Sequence, residues 1–300
     1  MNKHKKTVLV SGATGLLGQA LCIALEAKGH SVRRLSRGTT ADVQWDVDAG
    51  TIDAGAMTGV DVVVHLAGEP VAQRWTDVTK ARILKSRIGG AQLLVSALLK
   101  EPTPPDYITA SGINYYGHQC GVGVTEGSPL GDGFLANVCE QWEGAAQPLK
   151  DAGVRSVSAR IGMILSSQGG ALTKMLPAFK LGLGGVIGAG SQHMSWVSLP
   201  DAVRILLLAV EDTSIQGPVN VVSPEPLTNR VFTQSLGTAL KRPTFFPMPT
   251  LAVKALFGKM GIEVLCSDVG VLPQVLLDRG FEWDFTDIKS CFDACMAKQF

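Results

Sequence analysis

The chain has 300 residues, 46% hydrophobic and 18% charged, with 27 basic against 26 acidic side chains and a formal charge of +1. That balance excludes an intrinsically disordered chain and lacks the basic excess of a polyanion binder, so no nucleic-acid partner is expected. The six cysteines (Cys22, Cys120, Cys139, Cys266, Cys291, Cys295) are scattered without C-x-x-C spacing, the basic start is too short in apolar length for a secretory signal, and no run reaches membrane-span length; together these predict a soluble, cytoplasmic protein.

Thr7-Val8-Leu9-Val10 is a short β-branched run that ends in Ser11-Gly12-Ala13-Thr14-Gly15-Leu16-Leu17-Gly18, a strand running into a glycine turn. Leu17, Leu21, Ala24 and Leu25 then share a helical face, Gly29 is placed to end the helix, and Ser31 to Leu35 reads as a second strand. Val60 to Leu66 reads as a buried strand and Lys80 to Lys100 as a long helix. Pro102, Pro104 and Pro105 break the chain before a strand at Tyr107 to Ser111. Glu140 to Asp151 has a helical pattern, Val154 to Leu165 contains a strand, Pro200 to Glu211 a helix and Pro218 to Val222 a strand. Alternation of this kind predicts an α/β fold, a doubly wound parallel sheet covered on both faces. From Leu227 onward short helical patterns are interrupted by Pro243, Pro247, Pro249 and Pro273, as expected of a small C-terminal lobe, with a substrate cleft between lobe and sheet.

Gly12-x-x-Gly15-x-x-Gly18 lies between the first strand and first helix, where small residues let the backbone approach a pyrophosphate at a helix N-terminus. On its own the triplet could be a tight turn that binds nothing; opening a βαβ unit, it points to a dinucleotide. An acidic residue about 20 positions beyond such a loop suits the ribose hydroxyl of NAD, and a basic one the 2′-phosphate of NADP. The second strand ends in Leu35-Ser36-Arg37-Gly38, which favours NADP through a guanidinium and a hydroxyl donor; Asp42, a few residues later, competes for the role if the loop folds back. Val64-His65-Leu66-Ala67-Gly68 ends a central strand in small residues suited to the adenosine and ribose side, with His65 read as a core or cleft histidine without catalytic duty. Arg82 and Arg87 share a helix with Lys80 and Lys85, where the plain alternative is a solvated face.

These segments resemble the extended short-chain dehydrogenase/reductase family, in its NAD-dependent epimerase/dehydratase group, and are most similar to an atypical nucleotide-sugar epimerase-like branch with a C-terminal domain of unknown function. The resemblance rests on Ser11 to Gly18, His65-Leu66-Ala67-Gly68-Glu69, Ser111-Gly112-Ile113-Asn114-Tyr115-Tyr116-Gly117 and Trp142-Glu143. It extends through Arg160-Ile161-Gly162, Gly169-Gly170-Ala171-Leu172, Trp196-Val197 with Asp201, and Asn220. It implies an NADP-binding Rossmann domain over residues 1–225 and a small C-terminal domain over 226–300 that completes the substrate cleft. The resemblance also places Gly12, Thr14, Gly15, Leu16, Leu17, Gly18, Ser36, Arg37, Leu66, Ala67, Gly68, Arg82, Arg87 and Ile164 at the cofactor, with Ile164 near the nicotinamide.

The family's usual chemistry pairs a tyrosine with a lysine four residues later, because a phenol of ordinary pKa is a poor base unless a nearby cation stabilises its phenolate. None of the three tyrosines meets that rule: Tyr107 is followed at that spacing by Ser111, Tyr115 by Gln119 and Tyr116 by Cys120. With Glu143 aligned to the glutamate that commonly follows the lysine, Leu135 and Cys139 stand in the pair's place. Ser111, to polarise a carbonyl, and Tyr116, as an acid from another direction, are the remaining catalytic candidates; the plain alternatives are a strand-end hydroxyl and aromatic packing. The five histidines (His4, His30, His65, His118, His193) show no paired spacing, so no metal is expected, and Ser111 and Ser166-Ser167 lack a hydrolase elbow. His193 and Trp196 lie in a stretch, Gly190 to Val197, that reads as pocket wall or packed junction, and Glu225 and Asp201 show no partner in the sequence. The expectation is an NADP-dependent oxidoreductase or epimerase acting on a polar small molecule; the rival is a non-catalytic NADP(H) sensor with the same cofactor site.

Overall fold

Apolar runs bounded by glycine and proline fold as strands, and the segments with three- and four-residue apolar spacing between them fold as helices. The structure, a computed structural model, describes residues 5–38 and 41–300; residues 1–4, most of the basic start, and 39–40 lie outside the described residues. The chain opens with β1 (Thr7–Ser11), α1 (Leu16–Ala27), β2 (Ser31–Ser36), β3 (Val43–Asp46), β4 (Thr51–Ile52) and β5 (Val62–His65). Next come α2 (Asp77–Leu98), β6 (Asp106–Gly112), β7 (Gln119–Val124), α3 (Phe134–Gly144), α4 (Gln147–Asp151), β8 (Ser156–Ile161) and β9 (Met163–Leu165). The chain continues with α5 (Gly170–Lys180), β10 (His193–Met194), β11 (Trp196–Ser198), α6 (Leu199–Glu211) and β12 (Gly217–Val221). Beyond residue 225 lie β13 (Leu227–Thr228), α7 (Asn229–Leu240), α8 (Thr250–Met260), β14 (Asp268–Val271), α9 (Gln274–Asp278) and α10 (Ile288–Met296).

Eight strands form the main sheet in the order β12-β8-β6-β5-β1-β2-β3-β4, every pair parallel except β3 with β4. Strand alternation sends Val8, Val10, Val62, Val64 and Ile108 into one core and Leu9, Val63 and Tyr107 into the core on the opposite face, so this is a doubly wound sheet with both faces covered. The order reverses between β1 and β5, which opens a crevice at their carboxyl ends. Residues on both sides of position 225 share the larger core: Phe232, Leu236, Leu276 and Phe292 pack with Val157, Trp196 and Val219. The later chain is also tied by pairings of β13 with β10 and β14 with β7.

Two local details differ from the expected elements. The helical pattern at Glu140 to Asp151 is two helices, α3 and α4, because Pro148 lacks an N–H donor and is tolerated only in a first helical turn, where it sits in α4. Asp201 is far from partnerless. It pairs with Arg204 at 3.1 Å and accepts hydrogen bonds from Ser198 Oγ at 2.7 Å and from the backbone N–H groups of Asp284 and Phe285 at 2.7 and 3.1 Å, clipping the C-terminal segment to α6. No described helix is long and apolar enough to cross a membrane.

Candidate functional site

The turn from β1 into α1 is held by packing that only glycine permits. Gly12 has φ +71°, and a Cβ there would lie 2.8 Å from the backbone of Leu66 and Ala67; one on Gly18 would overlap the Gly12 carbonyl. α1 starts from Gly15 with no side-chain cap and no acid in its first turn, so its first amides have no side-chain acceptor and face the crevice. Thr14 and Gly15 are exposed at the turn, whereas Leu17 is buried in the core and has only its backbone to offer. Leu16 and Ile164 meet beside Gly170, bringing the start of α1 and β9 to one border of the crevice. Leu66, Ala67 and Gly68 follow β5 directly across from Gly12.

At the end of β2, Ser36 Oγ accepts the Gly38 N–H at 3.1 Å and Arg37 is exposed, its guanidinium without a hydrogen-bond partner among the described residues. Asp42, the competing carboxylate, accepts the backbone N–H of Arg34 at 2.8 Å and so is committed to the strand edge. A glycine cradle, uncapped amides and an exposed guanidinium together fit a dinucleotide carrying an extra phosphate.

The two arginines of α2 do not behave alike. Arg82 is exposed and lies 3.6 Å from Glu69. Arg87 turns inward beneath Gly68, donates to the Glu69 and Ile83 carbonyls at 2.9 and 3.3 Å and lies over the Trp142 ring at 5.1 Å. Burial lowers its pKa. Arg87 Nη1 thus braces the β5–α2 loop beside Gly68, while Nε and Nη2 make no hydrogen bond among the described residues.

His65 is a core histidine, as expected. Ser11 Oγ donates to its Nδ1 at 2.7 Å and accepts the Ala67 N–H at 3.4 Å, and Trp45, Tyr107 and Trp142 surround the ring. Burial pushes its pKa down from 6.5 to about 4. An unfolded chain takes up this proton near pH 6.5 while the folded chain refuses it until about pH 4. The stabilisation from neutral His65 is complete above the upper value and lost as pH falls toward the lower, roughly 3 kcal/mol in all. Urea titrations at a series of pH values should show this acid loss in the wild type and a much shallower one in His65→Asn; equal slopes would assign the proton to another group.

Ser111 and Tyr116, the two catalytic candidates, are both buried. They occupy a buried polar row across the carboxyl ends of β6, β8 and β12, where Ser111, Arg160 and Asn220 are register neighbours. Ser111 Oγ donates to Glu143 at 2.7 Å, and Glu143 accepts Arg160 Nε and Nη2 at 2.9 Å each. Arg160 Nη1 donates to the Tyr116 hydroxyl at 2.9 Å, which donates to Asn220 Oδ1 at 2.7 Å; the Asn220 N–H continues to Glu126 at 2.9 Å. Tyr116 is 3% exposed and Ser111 5%. Burial raises the Tyr116 pKa against the opposing effect of Arg160 and Asn220. Burial alone would lower the Arg160 pKa, but its ion pair with Glu143 more than offsets this and leaves it raised. In this structure the Ser111 hydroxyl is thus bonded to Glu143 and the Tyr116 hydroxyl to Arg160 and Asn220. Leu135 and Cys139, in the usual tyrosine and lysine places, are buried too, and burial pushes the Cys139 thiol up to about 11.

A cavity of about 510 Å³ opens beyond the ends of β6 and β8, walled by α5, β10, α7, α8 and β14. Its lining differs from that expected for a polar substrate: Met163, Met175, Met194, Met248 and Met260 face it, with Phe179 beside them. His193 lies on the wall, its Nδ1 donating to Asp268 Oδ1 at 2.8 Å; the same oxygen accepts the His193 backbone N–H at 2.8 Å. Trp196, next along, is buried at the packed junction. No sequence spacing pointed to Asp268, 75 positions beyond His193. Asn114 was visible only as part of a motif, and its side chain lines the cavity without a hydrogen bond among the described residues. Among the described residues no three His, Cys, Asp or Glu side chains are grouped to hold a metal ion.

Residues 8–222 match the NAD dependent epimerase/dehydratase family, and residues 248–295 match a domain of unknown function, DUF1731. An epimerase family protein of Mycobacterium leprae is 40% identical over 289 residues, covering 95% of this chain and 94% of its own. The crystal structure of human epimerase family protein SDR39U1 (isoform 2) with NADPH superposes with a TM-score of 0.88 at 35% identity, covering 97% of this chain and 99% of that one. A nucleoside-diphosphate sugar epimerase of Corynebacterium glutamicum gives 0.79 at 31% identity, over 97% of this chain and 58% of its own. With its Rossmann sheet, glycine cradle and matched C-terminal domain, the chain belongs to the NAD dependent epimerase/dehydratase family.

Proposed function

We propose that the chain is an NADP(H)-dependent oxidoreductase or epimerase-like enzyme that works without the Tyr/Lys pair. The observation that carries this reading is the Gly12–Gly18 cradle at the reversal of strand order, with Arg37 exposed at the end of β2 and a cavity alongside. The first amides of α1 hold the pyrophosphate, Ser36 and Arg37 the 2′-phosphate, and Leu66 and Ala67 the ribose side, while Ile164 borders the nicotinamide. When bound, the nicotinamide supplies or takes up a hydride. The His193 ring lies on the cavity wall, oriented by the Nδ1 hydrogen bond to Asp268. The human relative crystallised with NADPH supports the cofactor choice.

Arg37→Ala should weaken NADPH binding by about 1.5–3 kcal/mol, roughly ten- to hundredfold, through loss of a charged hydrogen bond, and leave NADH binding nearly unchanged. Calorimetry with both coenzymes measures this, and equal weakening would remove the case for NADP. Leu135 and Cys139 in place of the usual pair favour a second reading, a sensor that binds NADP(H) without turnover. Absorbance assays against sugar nucleotides, aldehydes and ketones separate the two: consumption of NADPH supports the enzyme, and tight binding with no consumption supports the sensor.

A further inference from the structure

The cavity wall carries little charge. No Asp or Glu occurs in residues 152–200 or 226–262, which supply most of the wall. Among the described lining residues the one full cation is Lys174, which is exposed and donates to the Ala72 carbonyl at 3.2 Å. Most polar side chains in the wall are already engaged. Ser195 Oγ donates to the Val269 carbonyl and accepts the Val271 N–H, each at 2.8 Å. Asn229 Oδ1 accepts the Ile187 N–H at 2.8 Å, and Ser267 Oγ donates to the Val264 carbonyl at 2.9 Å. Asn114, the Thr233 hydroxyl and the His193 ring remain as polar contacts for a ligand.

A nucleotide sugar brings two phosphates and a ring of hydroxyls, each of which costs about 1–3 kcal/mol or more when desolvated without a partner. This wall cannot meet that demand. Five thioethers and three phenyl rings (Phe179, Phe232 and Phe257) instead offer a deformable apolar surface. The approach is apolar as well: Leu183 lines the cavity and is 58% exposed, and Phe245, 83% exposed, bridges to Gly185 on the wall.

We propose that this cavity binds an apolar aliphatic compound with a single oxygen-bearing end, an alkyl aldehyde or ketone rather than a nucleotide sugar, with that oxygen accepting a hydrogen bond from the Asn114 amide. The volume of about 510 Å³ holds roughly 15 non-hydrogen groups of water size, which suits a medium-length alkyl chain. The proposal rests on the coenzyme reading for its choice of a carbonyl end, but ligand binding can be measured without the coenzyme.

The test uses the full chain and the fluorescent polyene fatty acid cis-parinaric acid as probe, with 2-undecanone and UDP-glucose as competitors. 2-Undecanone should displace the probe at micromolar concentration, and UDP-glucose should not displace it at millimolar concentration. Met194→Glu, which buries a carboxylate in the wall, should weaken 2-undecanone binding at least about tenfold while leaving NADPH binding within about twofold. Met175→Lys on α5 provides the same test from another element if Met194→Glu does not fold, and NADPH binding reports folding in each variant. Asn114→Leu should weaken the ketone but not undecane, a contrast that a purely structural role for Asn114 would not produce. Displacement by UDP-glucose, or no probe binding by protein that binds NADPH, overturns the apolar ligand. Failure to bind NADPH, with probe binding intact, instead overturns the coenzyme reading alone.

Discussion

Gly12→Val should abolish measurable NADPH binding while Gly153→Ala leaves it unchanged. Both glycines have positive φ, +71° and +74°, so both substitutions pay about 1–2 kcal/mol of left-handed backbone strain. They differ in what the new carbon meets. At Gly12 it would press on the backbone of Leu66 and Ala67 at 2.8 Å, whereas at Gly153 nothing lies within 4 Å. Relief at Gly12 requires the β1–α1 turn and the end of β5 to part, and those are the two walls of the crevice. Affinity should fall by more than about 3 kcal/mol, over a hundredfold, with a loss of folding stability in both variants. Calorimetry paired with urea unfolding checks this, and a Gly12→Val protein that retains coenzyme affinity would place the phosphates elsewhere.

Arg160→Met should be the most destabilising single change in the buried polar row, by about 3–5 kcal/mol, because it leaves the Glu143 carboxylate in the interior without its bidentate partner. The double variant Arg160→Met with Glu143→Gln should recover part of that loss, since an amide has no charge to neutralise. Denaturant midpoints across the four proteins of the cycle give the coupling; strict additivity would mean that the ion pair contributes nothing beyond packing. Tyr116→Phe removes one hydrogen bond at each end of its hydroxyl and should cost about 1–3 kcal/mol of stability while sparing any NADPH consumption. Loss of turnover in a folded Tyr116→Phe protein would reinstate that hydroxyl as the acid.

The cofactor half of the molecule was legible because its determinants are local. The glycine spacing, the apolar run before it and the residue at the end of the next strand all lie within 40 residues and each has a direct backbone meaning. The helix break at Pro148 was equally local and was missed because the apolar period runs through it. The roles of Ser111 and Tyr116 were not legible. A hydroxyl at a strand end reads the same whether it faces a substrate or an interior carboxylate, and Glu143 and Arg160 meet it only through sheet register. Likewise the five methionines of the cavity lie far apart along the chain and carry no periodic signal. His193 was noticed for its neighbourhood, but the carboxylate that orients it comes from a strand 75 residues on.

The sharing of one core across position 225 has a consequence for how a ligand gets in. With Phe232 and Phe292 packed among the residues under β8 and β12, the far wall has no seam along which it could swing as a body. Passage falls instead to rotamer hops of the unbranched thioethers that line the cavity. Such a portal admits slim, flexible chains readily and rigid rings slowly, so it filters by shape in transit before any group is recognised.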